Sequence, residues 1–540
     1  MLETVKTFIA LSEEFVEESF RLWPVRATAA GIHDYDQRLP DDTPDGNRAR
    51  SAWLRDLEQR LAASVTWEEL PTEQRVDYAL LRSRLAALRA EFDEIRRSAR
   101  DPVRCLRTAL DGVLLLTRPF APLDDRKEAL IARLIAIPDY LEAARTALEP
   151  PPPVWLETAL EVADGAPVLV NEIVRSLLRE FPRESERIEH AGARANSGIA
   201  QFREAIERQG VGPGGAWALG ARWLDFVRER EHLLPLGHRE LEPLGREQVA
   251  LARRALDELA RRTPDTWRER LAAARSRRGT ARAGEAAETE LTRAQRFVIE
   301  RRLAPVPDAR LESAPAPAYR RPLFARADYL APAPFDVEPQ GTLLLPAALP
   351  GRGPEAAADD GGRALVLVAA REGWPGRHLQ TGLAIHAGSR LRRITDDRLL
   401  ASGWALYAEE LMVEEGYGAE ADAGLGWALD RLESAARAVA AVALHSGTMT
   451  LEQAAAYLRE QALLKPADAE AEVKRLTLDP ARGIGGLVGR LQVIELRDEA
   501  RRRLGTKFDR LDFHAALLAG GTLPLPLLRE ELWERLGVGG

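Results

Sequence analysis

The chain has 540 residues, of which 45% are hydrophobic and 30% charged, and its formal net charge is -8. This is the composition of an ordinary globular protein with room for several lobes, since a domain usually takes roughly 100–200 residues. The acidic balance argues against nucleic-acid binding. An arginine-rich run at residues 268–282 is locally basic, but the glutamates within and after it favour a solvated surface.

The amino terminus and the cysteine content indicate where the protein resides. Cys105 is the only cysteine, so the chain has no disulfide framework, and we expect this residue to be a buried structural thiol. The first ten residues lack a long apolar core, and no run of about 20 apolar residues occurs in the chain. We therefore expect no signal peptide, no membrane span and a cytoplasmic location.

Helical periodicity dominates the first three hundred residues. Apolar side chains recur at spacings of three and four residues from Phe8 to Leu22 and from Trp53 to Leu61, and similar patterns continue to Leu259. We predict a helical amino-terminal region over residues 1–303.

The pattern changes between residues 304 and 362, where proline and glycine are dense and short apolar runs such as Thr342–Pro346 occur. We predict a connection with short strands here. The segment Arg363–Ala370 contains two β-branched valines and predicts a further short strand. Helical periodicity returns at Ala401, so residues 363–540 are predicted to be helical, and the fold class is mainly α with one small β-sheet.

Two segments of the last region resemble a known family. The first runs from Arg371 through Glu372, Pro375-Gly376 and His378 to Gln380, and the second runs Ser402-Gly-Trp-Ala-Leu-Tyr-Ala-Glu409. They are similar to H-E-A-x-P-G-H-H-L-Q and E-G-W-A-L-Y-A-E of the bacterial domain of unknown function 885 family, which is grouped with the zincin metallopeptidases. Further similarity at residues 24–36, 150–161, 437–445 and 480–489 extends the resemblance over nearly the whole chain. It implies a multihelical zincin-like (gluzincin-type) architecture, with the sheet beside an active-site cleft and zinc as cofactor.

The residues at the family's ligand-type positions differ in this chain. Arg371 and Arg377 stand where the family has histidines, and Ser402 stands where it has glutamate. Catalytic zinc needs about three His or carboxylate ligands, whereas arginine is permanently protonated and has no lone pair to offer. Ala441 and Gly486 likewise replace an Asp and a Tyr of the family pattern. The sequence therefore predicts no metal site, no cofactor and a catalytically inactive protein.

The remaining polar residues allow several interpretations. If the protein is active, the candidate acid/base groups are Glu372, His378, Tyr407 and His445, with a non-standard zinc set of His378, Glu409 and His445 as a further alternative. We favour His378, His445 and His514 as packing histidines.

The hypothesis for an inactive protein is that Arg371, Arg377 and Arg482 replace zinc as the charge partners of Glu372 and Glu409, because uncompensated buried charge is costly. Arg475 and Arg497 could also meet buried carboxylates. The expected ligand is a peptide or an anionic small molecule gripped by arginines, with no nucleic acid or membrane as partner.

Overall fold

The computed structural model describes residues 2–261, 269, 283–325, 327–346 and 361–538. Within these residues the fold is mainly α with one small sheet, as predicted. The arginine-rich run at residues 268–282 lies outside the described residues apart from Glu269.

The chain divides into two compact units. The first comprises Met1–Leu219, Pro317–Phe324 and Ala333–Pro339, and the second comprises Gly220–Ala316, Ala325–Pro332 and Gln340–Gly540. The division into three regions at residues 303 and 362 stays a prediction.

The first unit is built from helices that often begin at proline. Pro44 and Pro102 each occupy a first helical turn, where a missing N–H costs nothing. The side chains of Thr43 and Asp101 just before them accept hydrogen bonds from backbone N–H groups of that turn. The helices are α1 (Leu2–Leu22), α2 (Pro24–Ala30), α3 (Pro44–Ser64), α4 (Thr72–Ala90), α5 (Pro102–Leu115), α6 (Leu123–Thr146), α7 (Pro153–Glu180) and α8 (Ser185–Gln209).

The second unit carries the remaining helices and the sheet. Its helices are α9 (Gly220–Phe226), α10 (His238–Arg261), α11 (Ala283–Glu300), α12 (Gly361–Val368), α13 (Arg377–Ala384), α14 (Arg390–Arg393), α15 (Arg398–Glu414), α16 (Ala423–Ser446), α17 (Leu451–Gln461), α18 (Pro466–Leu478), α19 (Pro480–Leu504), α20 (Arg510–Leu518) and α21 (Leu525–Arg535).

Four of these helices form the core beneath the motif region. Helix α15 packs on α19, and α16 packs on both α10 and α19. Gly403 and Gly489 lie at the crossing of α15 and α19, where a Cβ atom on either would meet the other helix's backbone. The glycines of two family-like segments therefore set a close helix contact.

The sheet has three short strands, β1 (Arg310–Pro315), β2 (Asp328–Leu330) and β3 (Gln340–Leu345). Strand β3 is central, and it pairs in parallel with β1 and antiparallel with β2. The run Thr342–Pro346 thus contributes to a strand, as predicted.

The strand predicted at Arg363–Ala370 is wrong. This segment lies in α12 and in a π-helical turn, Ala369–Gly373, that follows it directly. Val366, Leu367 and Ala370 are all buried. Residues 364–370 are all apolar, and so short an apolar run has no periodicity in its sequence that separates strand from helix, which explains the error.

Candidate functional site

The turn that carries Arg371 and Glu372 is held in place by the Pro-Gly loop after it. Gly376 approaches the carbonyl group of Arg371 so closely that a Cβ atom would collide with it, so the loop folds back on the π-helical turn. The indole Nε1 of Trp404 in α15 donates hydrogen bonds to the carbonyl oxygens of Pro375 (2.9 Å) and Gly376 (3.2 Å). The two family-like segments are therefore joined by hydrogen bonds from the Trp404 side chain to the backbone of the Pro-Gly loop. Single π-helical turns often occur at functional sites.

Arg371 lies between two buried carboxylates. Its Nη2 is 2.5 Å from Oε2 of Glu409 and 3.1 Å from Oδ2 of Asp430. The Glu409 side chain is fully buried and that of Asp430 is 5% exposed, whereas Arg371 retains 22% exposure. A guanidinium group thus supplies the positive charge that these two carboxylates need in a low-dielectric environment.

A second ion pair links the turn to helix α13. Nη1 of Arg377 is 3.2 Å from Oε2 of Glu372, whose side chain is 10% exposed. One turn further along, Gln380 is 1% exposed, and neither atom of its side-chain amide has a hydrogen-bond partner among the described residues. This buried amide has unused donor and acceptor capacity next to the ion pair.

His378 is locked in place by the sheet. Its Nε2 lies 3.0 Å from the carbonyl oxygen of Ala309, and its Nδ1 lies 2.9 Å from the hydroxyl group of Tyr329. A carbonyl oxygen can only accept, so Nε2 carries the proton and Nδ1 accepts from tyrosine. Desolvation lowers the pKa of His378 to about 4. Gly341 of β3 lies against the same ring. Both ring nitrogens are occupied, and His378 is a neutral packing residue here.

Tyr407 and His514 repeat this arrangement. Nδ1 of His514 donates to the carbonyl oxygen of Leu303 (2.6 Å), and its Nε2 accepts from the hydroxyl group of Tyr407 (2.9 Å). Burial lowers the pKa of His514 to about 4 and raises that of Tyr407 to about 12, although Arg497 opposes the second shift. The Arg497 guanidinium lies 5.7 Å from the centre of the Tyr407 ring. Neither group is poised to exchange a proton near neutral pH.

Other residues of the family-like segments also serve packing. Ala441 and Gly483 are in close contact where α16 meets α19, and Gly485 lies against Ser402. His445 is fully buried, and its Nε2 donates to the carbonyl oxygen of Leu476 (3.0 Å).

Arg475 and Arg482 belong to a cluster centred on Glu472, which is 1% exposed. Nε of Arg475 is 2.9 Å from Oε2 of Glu472, and Nε of Arg437 is 3.0 Å from Oε1. Nε of Arg482 is 3.8 Å from Oε1, and Arg437 also pairs with Glu433 (2.5 Å). Desolvation raises the pKa of Glu472, but Arg437, Arg475 and Arg482 outweigh it and lower that pKa to about 2. We call these five residues the Glu472 cluster.

These side chains do not fit a catalytic zinc ion. Arg371 and Arg377 pair with the carboxylates that would be ligands, and His378 has no lone pair to spare. Throughout the described ranges, no group of three or more His, Cys, Asp or Glu side chains is arranged to hold a metal ion. The side chains present therefore cannot supply the lone pairs that a catalytic zinc ion needs.

The sequence patterns missed four residues of this site. Asp430, Glu433 and Glu472 lie outside the family-like segments, and Tyr329 lies in the short strand β2. The available signal for Asp430 was an acidic residue three positions before Glu433 and seven before Arg437 on an alanine-rich helix. Tyr329 carried no such signal.

Comparison with known proteins places the chain in a family. The family model described as "Bacterial protein of unknown function (DUF885)" matches residues 24–532. The chain belongs to the DUF885 family. No curated protein matches this DUF885 chain.

Two solved structures share its fold. A "putative lipoprotein" from Colwellia psychrerythraea has 21% identity and a TM-score of 0.81, and the match covers 99% of this chain and 100% of that one. A "putative lipoprotein of unknown function" from Shewanella oneidensis has 19% identity and a TM-score of 0.75, and the match covers 97% and 99%. At this identity the likeness concerns the fold alone. The expected relationship to zincin metallopeptidases stays a prediction.

These names correct the expected cytoplasmic location. Both similar structures are of proteins described as lipoproteins, which points to membrane-anchored or secreted proteins. None of the helices within the described residues is long and apolar enough to cross a membrane.

Proposed function

We propose that this DUF885 member is a catalytically inactive, metallopeptidase-like protein that binds a peptide or an anionic small molecule. The observation that carries the proposal is the contact of Arg371 with Glu409 and Asp430. In the family pattern a histidine stands at position 371. Here a guanidinium group occupies the space beside both carboxylates, and it cannot bind a cation or activate a water molecule.

The alternative of metal-independent acid/base chemistry has less support. Its candidate groups are engaged elsewhere, since His378 and His445 donate to backbone carbonyl groups and Tyr407 donates to His514. Glu372 is paired with Arg377. A zinc set of His378, Glu409 and His445 meets the same objection.

Two features support a retained binding role. The buried amide of Gln380 matches a peptide bond, because each offers one donor group and one acceptor group. In the Glu472 cluster, three guanidinium groups surround one fully buried carboxylate, and Arg437 and Arg482 are 22% and 32% exposed. Guanidinium groups with this exposure suit a carboxylate or a phosphate. The names of the two similar proteins favour a setting at a membrane surface or outside the cell.

Activity and binding can be tested together. We expect no cleavage of a peptide library by the wild type, with or without chelator. Chelator-sensitive cleavage that is lost in Glu372→Gln would contradict the proposal.

Binding is measured by thermal shift with acidic peptides, dicarboxylates and phosphate, because a ligand that binds only the native state raises the melting temperature. We expect stabilisation that is lost in Gln380→Met for a peptide or in Arg482→Gln for an anion. A lack of stabilisation by every ligand, or an equal response of both variants and the wild type, would refute the binding role.

A further inference from the structure

A buried histidine joins the loop between α9 and α10 to the start of α15, the helix that carries Glu409. The side chain of His232 is 3% exposed, and its Nδ1 lies 2.8 Å from Oδ2 of Asp397, which is 4% exposed. Asp397 directly precedes α15, and its Oδ1 accepts a hydrogen bond from the backbone N–H of Leu400 (2.8 Å). One carboxylate thus caps the helix and holds the histidine.

Asp397 is also held through its backbone. Its N–H group donates to the carbonyl oxygen of Thr522 (2.9 Å), and Asp396 forms a β-bridge with the same residue. These contacts do not depend on the protonation state of His232. The movable partner of the pair is therefore the loop that carries the histidine, residues 227–237, which we call the His232 loop.

The His232 loop is folded on itself. The Arg228 guanidinium group donates to the carbonyl oxygen of Leu234, and the backbone N–H of Leu234 donates to the carbonyl oxygen of Arg228 (3.0 Å). At the ends of the loop, Nε of Arg228 is 3.3 Å from Oδ1 of Asp225, and Nδ1 of His238 is 2.7 Å from Oδ2 of the same carboxylate. These internal contacts let the loop move as one piece when its link to α15 opens.

Two features weaken the closed position of the loop. Nε2 of His232 is buried without a hydrogen-bond partner in the described part of the chain, so it is an unpaired donor when the ring is charged and an unpaired acceptor when the ring is neutral. Leu233 has a φ of 52°, in the left-handed region that residues with a Cβ atom rarely adopt. Opening exposes Nε2 to water and frees Leu233, so the ion pair has to offset both costs.

The strength of that ion pair depends on pH. Desolvation lowers the pKa of His232, but the hydrogen bond and the charge of Asp397 outweigh it, and Glu231 and Asp479 add to the net rise. Asp479 is itself close to Arg398, whose Nη1 is 3.6 Å from its Oδ2. The contribution of protonated His232 to the closed state is fully present below pH 6.5 and is lost as pH rises through the raised pKa.

We propose that the His232–Asp397 pair is a pH-sensitive latch, which holds the His232 loop against the start of α15 while His232 is protonated and releases it when the imidazole is neutral. The proton leaves to solvent, and no other covalent bond changes. In the neutral state the hydrogen bond from Nδ1 loses the charge of its donor and weakens, so the costs at Nε2 and at Leu233 favour opening. The latch goes beyond the proposed function, because it needs neither a ligand nor the motif residues.

Hydrogen exchange of the full chain, followed by mass spectrometry at about pH 6 and about pH 8.5, tests the latch. Rates are corrected for the intrinsic pH dependence of amide exchange. For peptides that cover residues 227–234, we expect the corrected rate of the wild type to rise by about threefold or more between the two pH values, because opening is linked to ionisation of His232. His232→Gln keeps an N–H donor for Asp397 but does not titrate, so its corrected rate should not change with pH.

Two further variants make the result specific. His238→Gln is the matched control, because His238 also pairs with an aspartate but at the end of the same loop, and it should keep the pH response of the wild type. Asp397→Asn keeps an N-cap for α15 but removes the negative charge. We expect residues 227–234 of this variant to exchange rapidly at both pH values, while the first turn of α15 stays protected.

A corrected wild-type rate that does not change with pH would overturn the proposal, as would an equal change in His232→Gln. The proposal also fails if Asp397→Asn retains the slow loop exchange that the wild type shows at the lower pH. Rapid exchange of both the loop and the first turn of α15 in Asp397→Asn would assign Asp397 a structural role alone and overturn the latch. If His232→Gln does not fold, the result for Asp397→Asn decides.

Discussion

Replacing Arg371 with methionine tests whether its guanidinium group is the charge partner of the motif region. Methionine keeps much of the apolar stem but leaves Glu409, which is fully buried, and Asp430, which is 5% exposed, without that partner. Removing one partner of a buried ion pair typically costs about 3–5 kcal/mol. Arg371 is 22% exposed, so part of its charge is hydrated, and we expect a loss of about 2–4 kcal/mol in the free energy of unfolding.

The assay is urea unfolding of the full chain at neutral pH, followed by circular dichroism. Arg371→Lys is the matched control that keeps the charge, and it should lose less stability. The double variant Arg371→Met with Glu409→Gln removes both charges and should recover part of the loss, because coupled residues are not additive. A cost below about 1 kcal/mol for Arg371→Met, or no recovery in the double variant, would refute the assigned role.

Three further predictions concern pH and packing. Glu472 has a pKa lowered from 4.5 to about 2, so it contributes stability above pH 4.5 that is lost as pH falls towards 2. Glu472→Gln should therefore reduce the loss of unfolding free energy between pH 4.5 and 2 by about 3 kcal/mol at most. An unchanged loss over this pH range would contradict the assignment. His33 has a pKa raised to about 9, because hydrogen bonds and charges from two aspartates outweigh the desolvation that lowers it. Its contribution is fully present below pH 6.5 and is lost as pH rises through 9, so the stability of His33→Gln should depend less on pH in that window, and an equal dependence would count against the ion pairs. A Cβ atom at Gly341 would lie 2.6 Å from Nδ1 of His378, so Gly341→Ala should lower the free energy of unfolding by about 1–3 kcal/mol. Gly214 has open space around it, so Gly214→Ala should lower that free energy by less than about 1 kcal/mol. Equal melting temperatures of the two variants would contradict the packing of Gly341 against His378.

Local patterns predicted much of the fold. The helices and the strand over Thr342–Pro346 follow from spacing and from residue type. The segment Arg363–Ala370 could not be assigned in this way, because its residues 364–370 are all apolar and leave no periodic signal in the sequence.

Only part of the candidate site was predictable from the sequence. Arg371 does meet Glu409, as the charge argument predicted, yet its second partner Asp430 lies 59 positions away and belongs to no motif. The hypothesis that joined Arg482 to Arg371 overlooked Glu472, the carboxylate that Arg482 approaches. Long-range partners of this kind depend on helix packing, which local sequence does not encode.

The role of His378 depended on contacts remote in sequence. Its donor nitrogen reaches the carbonyl oxygen of Ala309, 69 positions away, and its acceptor nitrogen meets Tyr329, 49 positions away. The sequence favoured a packing histidine over a catalytic or zinc-binding one but did not identify these two contacts, which leave His378 neutral and without a lone pair for a metal.

The zinc content of the purified protein tests the central claim most directly. The protein is incubated with excess zinc, dialysed, and measured by elemental analysis beside an Arg371→Ala variant. We expect far less than one zinc per chain in the wild type, because guanidinium groups accompany the carboxylates and both nitrogens of His378 are engaged. About one tightly held zinc per wild-type chain after dialysis would contradict the account.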